Sequence, residues 1–139
     1  SALDQSKCFT LQQGSHALVI DSFHGAANQK FNIFNNNGKY AFVCLDGNLA
    51  IMLPQDSAQD GAHVQADAGQ HKSSFFDLTT VTNGPFAGKG FYLKTHCGKC
   101  VDVNEGRTSP GTAVIQWSYH GNSNQIWLAY PASQQGQPQ

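Results

Sequence analysis

The chain has 139 residues, of which 40% are hydrophobic and 12% charged, and its formal net charge is −1. The usual charged share is about 25%, and the single arginine here is Arg107. These values exclude a basic face for nucleic acid, because phosphate binding needs clustered lysine and arginine. They also exclude a highly charged disordered chain. With 10 Asn, 14 Gln and 14 Gly, the surface is predicted to be rich in turns and uncharged hydrogen-bonding groups.

Short β-branched and aromatic runs recur along the chain, separated by Gly, Asn and Pro. They predict strands over residues 41–45, 49–53, 75–81, 91–95, 100–103, 113–117 and 125–130. Many short strands at close spacing are typical of an all-β sandwich or barrel. No apolar run approaches the 18 residues of a transmembrane helix, and no charged-then-apolar leader opens the sequence.

An internal repeat organises these strands. A shift of 50 residues superposes six positions of a second copy on a third, namely Gly38 on Gly88, Phe42 on Tyr92, Ile51 on Val101, Leu53 on Val103, Gly61 on Gly111 and Val64 on Val114. A shift of 96 residues places His24, Asn28, Gln29 and Phe31 on His120, Asn124, Gln125 and Trp127. Three copies of about 50 residues with four short strands each predict a closed threefold architecture. A three-bladed propeller fragment is the alternative.

The copies divide one domain into approximate repeats 1–37, 38–87 and 88–132, and the tail over 133–139 is predicted to be frayed. The first repeat is abbreviated, and two alignments fit it. The preferred one places Ala2-Leu3-Asp4 opposite Cys100-Val101-Asp102, which leaves the preceding strand absent. The other makes residues 7–12 the first strand and shortens the following hairpin.

The third copy carries a specific motif. It reads Cys100-Val101-Asp102-Val103, then Gly111-Thr112-Ala113-Val114-Ile115-Gln116-Trp117, then Gly121, and finally Asn124-Gln125-Ile126-Trp127. This pattern resembles the ricin B-type lectins, and residues 22–29 are similar to the variant of fungal members. The resemblance covers the third copy fully, the first in part and the second only as scaffold.

The resemblance implies a β-trefoil fold and non-catalytic carbohydrate binding. It implies glycans that contain galactose or N-acetylgalactosamine, on glycoproteins or glycolipids of cell surfaces, as ligands. No catalytic residue, cofactor, metal, nucleic acid or membrane span is expected, and a homo-oligomer is compatible with the family. An extracellular location is slightly favoured over a cytoplasmic one.

The main site is predicted in the third repeat. A sugar ring needs an aromatic plate for its apolar face and polar groups for its hydroxyls. Trp117 is the predicted plate, Asp102 accepts two hydroxyls through charge-assisted bonds, and Asn124 binds a third. The resemblance gives Gln125 a supporting role, and His120 lies in the loop over the pocket.

A second, weaker site is predicted in the first repeat. Its candidates are Asp4, Phe23, His24, Gly25 and Asn28. Here Asp21 falls on the position of Trp117, so Phe23 is expected to supply the ring face. The second repeat has Met52 for Asp102, Ala66 or Asp67 for Trp117, and Ser73 for Asn124, so no site is expected there. Cell agglutination therefore requires the first and third sites together, or an oligomer.

Three departures from the family pattern bear on these expectations. In the family, the cysteine equivalent to Cys100 usually forms a disulfide with a cysteine at the position that Tyr119 occupies here. Tyr119 has no thiol, so that bridge cannot form. The usual glutamine two residues before the tryptophan is Ile115, and Gln116 is the candidate substitute for its sugar contact. Cys97 and Cys100 form a Cys-x-x-Cys pair, but a strand-like run follows it, where a redox motif opens a helix.

Other functions receive less support. Glu105 is the only glutamate, and hydrolase, phosphate-loop and zinc-protease motifs are absent from the sequence. A β-trefoil that binds protein through its loops, such as a protease inhibitor, is one alternative. A binding module cut from a glycosidase is another.

Overall fold

The computed structural model describes residues 1–131 of the chain. It contains ten strands: β1 (Lys7–Leu11), β2 (Leu18–Ser22), β3 (Phe31–Asn36), β4 (Lys39–Cys44), β5 (Leu49–Met52), β6 (Gln65–Asp67), β7 (Asp77–Thr80), β8 (Phe91–Lys94), β9 (Cys100–Val103) and β10 (Thr112–Trp117). Short 3-10 turns occupy Ala27–Gln29, Pro54–Asp56, Lys72–Ser74, Asn104–Gly106 and Ser123–Gln125. Over these residues, no helix has both the length and the apolarity to cross a membrane.

All strand pairs are antiparallel, and together they form a β-trefoil. One sheet has the order β1-β2-β10-β9-β8-β7 and the other has the order β3-β4-β5-β6. Isolated bridges, such as Tyr40–Phe76 and Phe91–Trp127, link strands of the two later repeats. The first repeat contributes β1–β3, the second β4–β7, and the third β8–β10 with the chain around Trp127. The expected threefold architecture with an abbreviated first repeat is confirmed.

The main hydrophobic core contains residues from all three repeats. Phe76 and Trp127 are buried in it, together with Phe42 and Leu93 from β4 and β8. The Trp127 indole N–H donates to the Val101 carbonyl at 3.1 Å, so even its polar atom is satisfied. Phe31, the third member of the Phe76 and Trp127 set, is only partly buried.

Six of the seven predicted strands are present, but the last is wrong. Residues 123–125 form a 3-10 turn, and only Trp127 bonds across to β8. In the first and second repeats, the strand that follows the equivalent 3-10 turn does pair with a neighbour. There, β3 pairs with β4, and β7 pairs with β8. Within the described chain no strand precedes β1 to pair with the residues that follow Trp127. Strands β2, β3 and β6 were not predicted.

The register of the repeats also differs in detail from the ungapped shift. Because Phe76 and Trp127 are equivalent, the bridges Tyr40–Phe76 and Phe91–Trp127 make Tyr40 equivalent to Phe91. Phe42 therefore superposes on Leu93, which is also buried, and not on Tyr92. The β4–β5 turn contains the extra residue.

All four cysteines are free thiols. Tyr119, which stands at the family's usual cysteine position, packs its ring edge against Tyr92 with centroids 5.2 Å apart. The predicted tail over 133–139 lies outside the described residues.

Candidate functional site

The polar centre of the third repeat is the carboxylate of Asp102, on β9. Asp102 is only 2% exposed. Gln125 Nε2 donates to Oδ2 at 2.8 Å, and Asn124 Nδ2 donates to Oδ1 at 3.1 Å. His120 Nε2 lies 3.3 Å from Oδ2. We call Asp102, His120, Asn124 and Gln125 the Asp102 quartet.

Gln125 fixes the geometry of the quartet. Its side chain is fully buried, and its Oε1 accepts the backbone N–H of His120 at 3.0 Å and that of Gly121 at 3.4 Å. Nε2 also donates to the Ser118 carbonyl at 2.9 Å. The Gln125 amide thereby connects the 118–121 loop to Asp102. This position is compatible with the supporting role predicted for Gln125.

Gly121 is required by the shape of this loop. Its φ is 78°, a left-handed conformation that glycine adopts readily. A Cβ at this position would lie 2.9 Å from the Tyr119 hydroxyl. A larger residue would therefore strain the backbone at this position and push the exposed Tyr119 ring aside.

The tautomer of His120 follows from its neighbours. Its Nδ1 accepts the backbone N–H of Asn122 at 3.0 Å. A neutral imidazole has one donor and one acceptor nitrogen, so Nε2 carries the hydrogen and donates it to Asp102. His120 thus covers one oxygen of the carboxylate from the solvent side.

Burial raises the pKa of Asp102 above its usual range, and the hydrogen bonds from Gln125, His120 and Asn124 offset this only in part. A carboxylate has about four acceptor positions, and the quartet uses three of them. Asp102 therefore retains acceptor capacity, and it gains more if His120 moves away.

Trp117 ends β10 as an exposed aromatic, with 43% of its surface accessible. Its indole lies over Gly61 of the second repeat, where a Cβ would be 3.7 Å from Cζ3. No hydrogen bond joins Trp117 to the quartet among the described residues. Trp117 is thus an exposed indole at the junction of two repeats, and its role as an aromatic plate stays a prediction.

The side-chain amide of Gln116 is bonded within the fold, which disfavours the hypothesis that Gln116 contacts sugar. It is fully buried, and its Nε2 donates to the Ser57 carbonyl at 2.8 Å and the Gln59 carbonyl at 3.0 Å. Successive side chains of a strand point to opposite faces, so Gln116 points away from the side of Trp117. Its role is to hold the 57–59 loop against β10.

In the first repeat, Thr10 occupies the position of Asp102, and the preferred alignment through Asp4 is wrong. Gln29 Nε2 donates to Thr10 Oγ1 at 3.0 Å and to the Ser22 carbonyl at 2.9 Å. These bonds reproduce those of Gln125. Asp4 instead accepts from Ser6 and lies 3.3 Å from the Lys7 ammonium. The alternative alignment makes residues 7–12 the first strand. It agrees with the structure, because Thr10 lies in β1.

The other first-repeat candidates lie where the 96-residue shift places them. Gln29 Oε1 accepts the backbone N–H of His24 at 2.7 Å and of Gly25 at 3.2 Å. Asn28 Nδ2 donates to the Leu11 carbonyl at 3.0 Å. Phe23 packs on Gly25, since a Cβ there would lie 3.7 Å from its ring. The loop is preserved, but its partner is an alcohol and not a carboxylate.

The second repeat keeps only the frame of the site. Met52 pairs with Gln65 as Asp102 pairs with Ile115, which places Asp67 at the position of Trp117. Ser73 Oγ donates to the Leu53 carbonyl at 3.0 Å. Asp67 lies 2.9 Å from His71 Nε2. An apolar Met52 supplies no acceptor for a hydroxyl.

The Cys-x-x-Cys pair consists of free thiols, with Cys97 exposed and Cys100 buried. Between residues 1 and 131, no three His, Cys, Asp or Glu side chains are placed to hold a metal. Burial raises the pKa of Cys100 to about 11, so its thiol is protonated at neutral pH. Since the thiolate is the reactive form, burial makes Cys100 a poor nucleophile.

The chain has a β-trefoil fold, and its third repeat is similar in sequence to a family of lectin-like domains. Residues 86–137 match the family described as ricin-type beta-trefoil lectin domain-like. The resemblance to ricin B-type lectins is thereby confirmed over the repeat that carries the quartet. No curated protein matches the chain in a sequence search.

Solved structures share the fold. The designed threefold-symmetric protein ThreeFoil is 27% identical, with 89% of this chain and 91% of that one covered at a TM-score of 0.79. A Macrolepiota procera ricin B-like lectin, in complex with lactose, is 15% identical over 86% and 84% of the chains at 0.72. The exo-beta-1,3-galactanase 1,3Gal43A from Clostridium thermocellum is 22% identical over 84% of this chain and 25% of that one, also at 0.72. This chain thus spans about a quarter of the galactanase.

Proposed function

We propose that the chain is a non-catalytic carbohydrate-binding domain with its main site at the Asp102 quartet and Trp117. The observation that carries the proposal is a buried carboxylate held by three side-chain donors beneath an exposed loop, on the same hairpin as an exposed indole. Such a carboxylate accepts hydroxyl hydrogen bonds that are stronger than neutral ones. The family match over residues 86–137 supports carbohydrate as the ligand.

His120 has a direct part in this proposal. A sugar hydroxyl replaces the His120 N–H as a hydrogen-bond donor to Asp102 Oδ2. The imidazole moves aside when the sugar binds. The side chain of His120 is 32% exposed, so this movement needs no change in the core. Asn124 and Gln125 keep Asp102 in place throughout.

Galactose-type sugars are the proposed ligands. Two similar structures point to this choice, since one is a lectin in complex with lactose and the other is an exo-beta-1,3-galactanase. Because this chain spans 25% of the galactanase, the domain also fits a role as the binding module of a larger glycosidase.

Calorimetric titration with lactose tests the site. The equivalent positions of the three repeats supply matched variants, Asp102→Ala, Thr10→Ala and Met52→Ala. We expect Asp102→Ala to lower the affinity at least tenfold and the other two to leave it within twofold. Equal affinity of the wild type and Asp102→Ala would overturn the assignment.

A further inference from the structure

The loop between β5 and β6 of the second repeat contacts the end of β10 through Asp60. Its Oδ1 accepts the backbone N–H of Ser118 at 2.9 Å, and the Ser118 hydroxyl lies 3.1 Å from both carboxylate oxygens. The Lys99 ammonium lies 3.1 Å from Oδ1. We call Asp60, Lys99 and Ser118 the Asp60 clamp. It joins the second repeat to the third beside the proposed sugar site.

Ser118 connects the two parts of that site. It follows Trp117 directly, and its carbonyl accepts Gln125 Nε2 at 2.9 Å. The same nitrogen donates to Asp102 at 2.8 Å. Both backbone polar groups of Ser118 are therefore bonded, the N–H to Asp60 and the carbonyl to Gln125. The position of Ser118 thus sets the indole relative to the Asp102 carboxylate.

Gly61, the neighbour of Asp60, fixes the residues before Ser118. Its N–H donates to the Gln116 carbonyl at 2.8 Å. The Trp117 ring lies against it, since a Cβ there would be 3.7 Å from Cζ3. Asp60 and Gly61 together contact three consecutive residues of the third repeat. A backbone fixed at successive positions restricts the direction in which the Trp117 side chain leaves the strand.

The other two repeats bond the equivalent N–H in a different way. Asp21 and Asp67 occupy the position of Trp117, and each accepts the backbone N–H of the residue that follows it. The distances are 2.8 Å from Ser22 to Asp21 and 2.7 Å from Ala68 to Asp67. An aspartate side chain often accepts a nearby backbone N–H. Tryptophan has no acceptor, so the third repeat needs an acceptor from elsewhere.

Asp60 supplies this acceptor from the neighbouring repeat. At the junction between the third and first repeats, the Gly111 N–H donates to the Ile20 carbonyl at 2.8 Å, which is the bond equivalent to that of Gly61. The residue before Gly111 is Pro110, whose side chain cannot accept a hydrogen bond. The carboxylate therefore stands beside the repeat that has the exposed indole, and a proline takes its place beside the first repeat.

Lys99 holds the carboxylate from a second direction. It belongs to the turn between β8 and β9, in the same repeat as Ser118. The side chains of Lys99 and Asp60 are 23% and 38% exposed, so the ion pair is partly shielded from solvent. Hydrogen bonds to an ionised acceptor are stronger than those between neutral groups. Asp60 is thus restrained by two separate groups of the third repeat.

We propose that Asp60 is a positioning residue of the sugar site and acts through Ser118 on Trp117 and Asp102. This inference rests on the proposed function, because it requires that the indole and the carboxylate bind one sugar together. The sugar site is then built by two repeats. The second repeat, in which no site is expected, completes the site of the third.

Three variants test the role of Asp60 in sugar binding. Asp60→Ala removes the acceptor, whereas Asp60→Asn keeps an amide oxygen that can accept the Ser118 N–H. Asp67→Ala is the matched control, since it removes the equivalent hydrogen bond from the second repeat. We expect Asp60→Ala to lower lactose affinity at least fivefold in calorimetric titration. Asp60→Asn and Asp67→Ala should stay within twofold of the wild type.

The motion of the indole gives a readout that needs no ligand. In a Trp127→Phe background, Trp117 is the only tryptophan, and phenylalanine fits there because Phe76 holds the equivalent position in the second repeat. The fluorescence anisotropy of Trp117 should decay faster in Asp60→Ala than in Asp60→Asn or Asp67→Ala. Thermal melts of Asp60→Ala and Asp67→Ala should show similar shifts, which separates positioning from stability.

Unchanged lactose affinity in Asp60→Ala would overturn the proposal, and Asp102→Ala in the same series shows whether the proposed function still holds. Loss of binding in both Asp60→Ala and Asp60→Asn, with unchanged anisotropy decay, would also overturn it, because the carboxylate would then contact sugar itself. If the wild type does not bind lactose, the proposed function fails. The anisotropy then decides whether Asp60 positions the indole, since a faster decay in Asp60→Ala supports this and an equal decay overturns it.

Discussion

Thr10 accepts from Gln29 the hydrogen bond that Asp102 accepts from Gln125, at 3.0 Å and 2.8 Å. The two repeats therefore share a loop frame, and they differ in the charge at its base. A neutral hydroxyl accepts weaker hydrogen bonds than a carboxylate does. The first repeat consequently has the scaffold of a site without its strongest acceptor.

Agglutination should reflect this difference. We expect a monomer to bind lactose but not to agglutinate cells, since one working site cannot connect two surfaces. Light scattering establishes the oligomeric state, and haemagglutination titre is measured on the same fraction. Agglutination by a verified monomer, abolished by Asn28→Ala, would show that the first repeat binds sugar after all.

Trp117→Ala should lower lactose affinity at least tenfold with little effect on folding, because the ring is 43% exposed. Exposed positions usually change the free energy of unfolding by less than about 0.5 kcal/mol. Tyr119, which is 57% exposed, supplies the control Tyr119→Ala, which should bind lactose normally. Calorimetry and thermal melts of both variants check this. Loss of folding in Trp117→Ala would instead indicate a structural role over Gly61.

Sugar affinity should fall on acidification at a higher pH than an ordinary carboxyl would cause. Burial raises the pKa of Asp102, and protonation removes the charged acceptor. Lactose titrations between pH 4 and 7, at equal ionic strength, measure the midpoint. An affinity that is constant down to the usual range of an aspartate would contradict the raised pKa.

The contribution of Asp102 to the free energy of unfolding should have the opposite pH dependence to its contribution to sugar affinity. Since its pKa is higher in the folded than in the unfolded state, the folded state binds more protons between the two values. The free energy of unfolding is therefore expected to decrease as pH rises through that interval. Urea unfolding across the same pH range, with Thr10→Ala as a control that keeps Asp102, measures the slope.

Gln116→Leu should destabilise the fold by about 1–3 kcal/mol, the cost of leaving buried polar groups unpaired. It leaves the Ser57 and Gln59 carbonyls without their donor. Gln70 is exposed, so Gln70→Leu is the matched control and should be neutral. Urea unfolding measures both. A neutral Gln116→Leu with lost lactose binding would restore the sugar-contact hypothesis.

The thiols provide a test of the redox state. All four cysteines are free, and Cys97 is exposed while Cys44 and Cys100 are buried. We expect a thiol reagent to label Cys97 first in the native protein and all four cysteines after denaturation. The melting temperature should be unchanged by reductant. Fewer than four thiols in the denatured protein would reveal a disulfide.

The sequence by itself determined the architecture and which third-repeat side chains are close together. The repeated Gly, aromatic and branched residues specify three similar units, and such units can bury their apolar faces only by packing together. Asp102, Trp117, Asn124 and Gln125 belong to one copy without insertions, so their separations along the chain predict a shared hairpin and loop.

Only the tertiary structure decided how the first repeat aligns and where Gln116 and His120 point. The connection from Leu11 to Val19 is four residues shorter than its equivalent from Val103 to Ile115, and a shortened hairpin preserves hydrogen-bond partners while it breaks the sequence offset. The similarity of Ala2-Leu3-Asp4 to Cys100-Val101-Asp102 selected Asp4, whereas the bonds of Gln29 select Thr10. The position of His120 over Asp102 and the partial burial of Phe31 likewise depend on distances in space, which the order of residues along the chain does not contain.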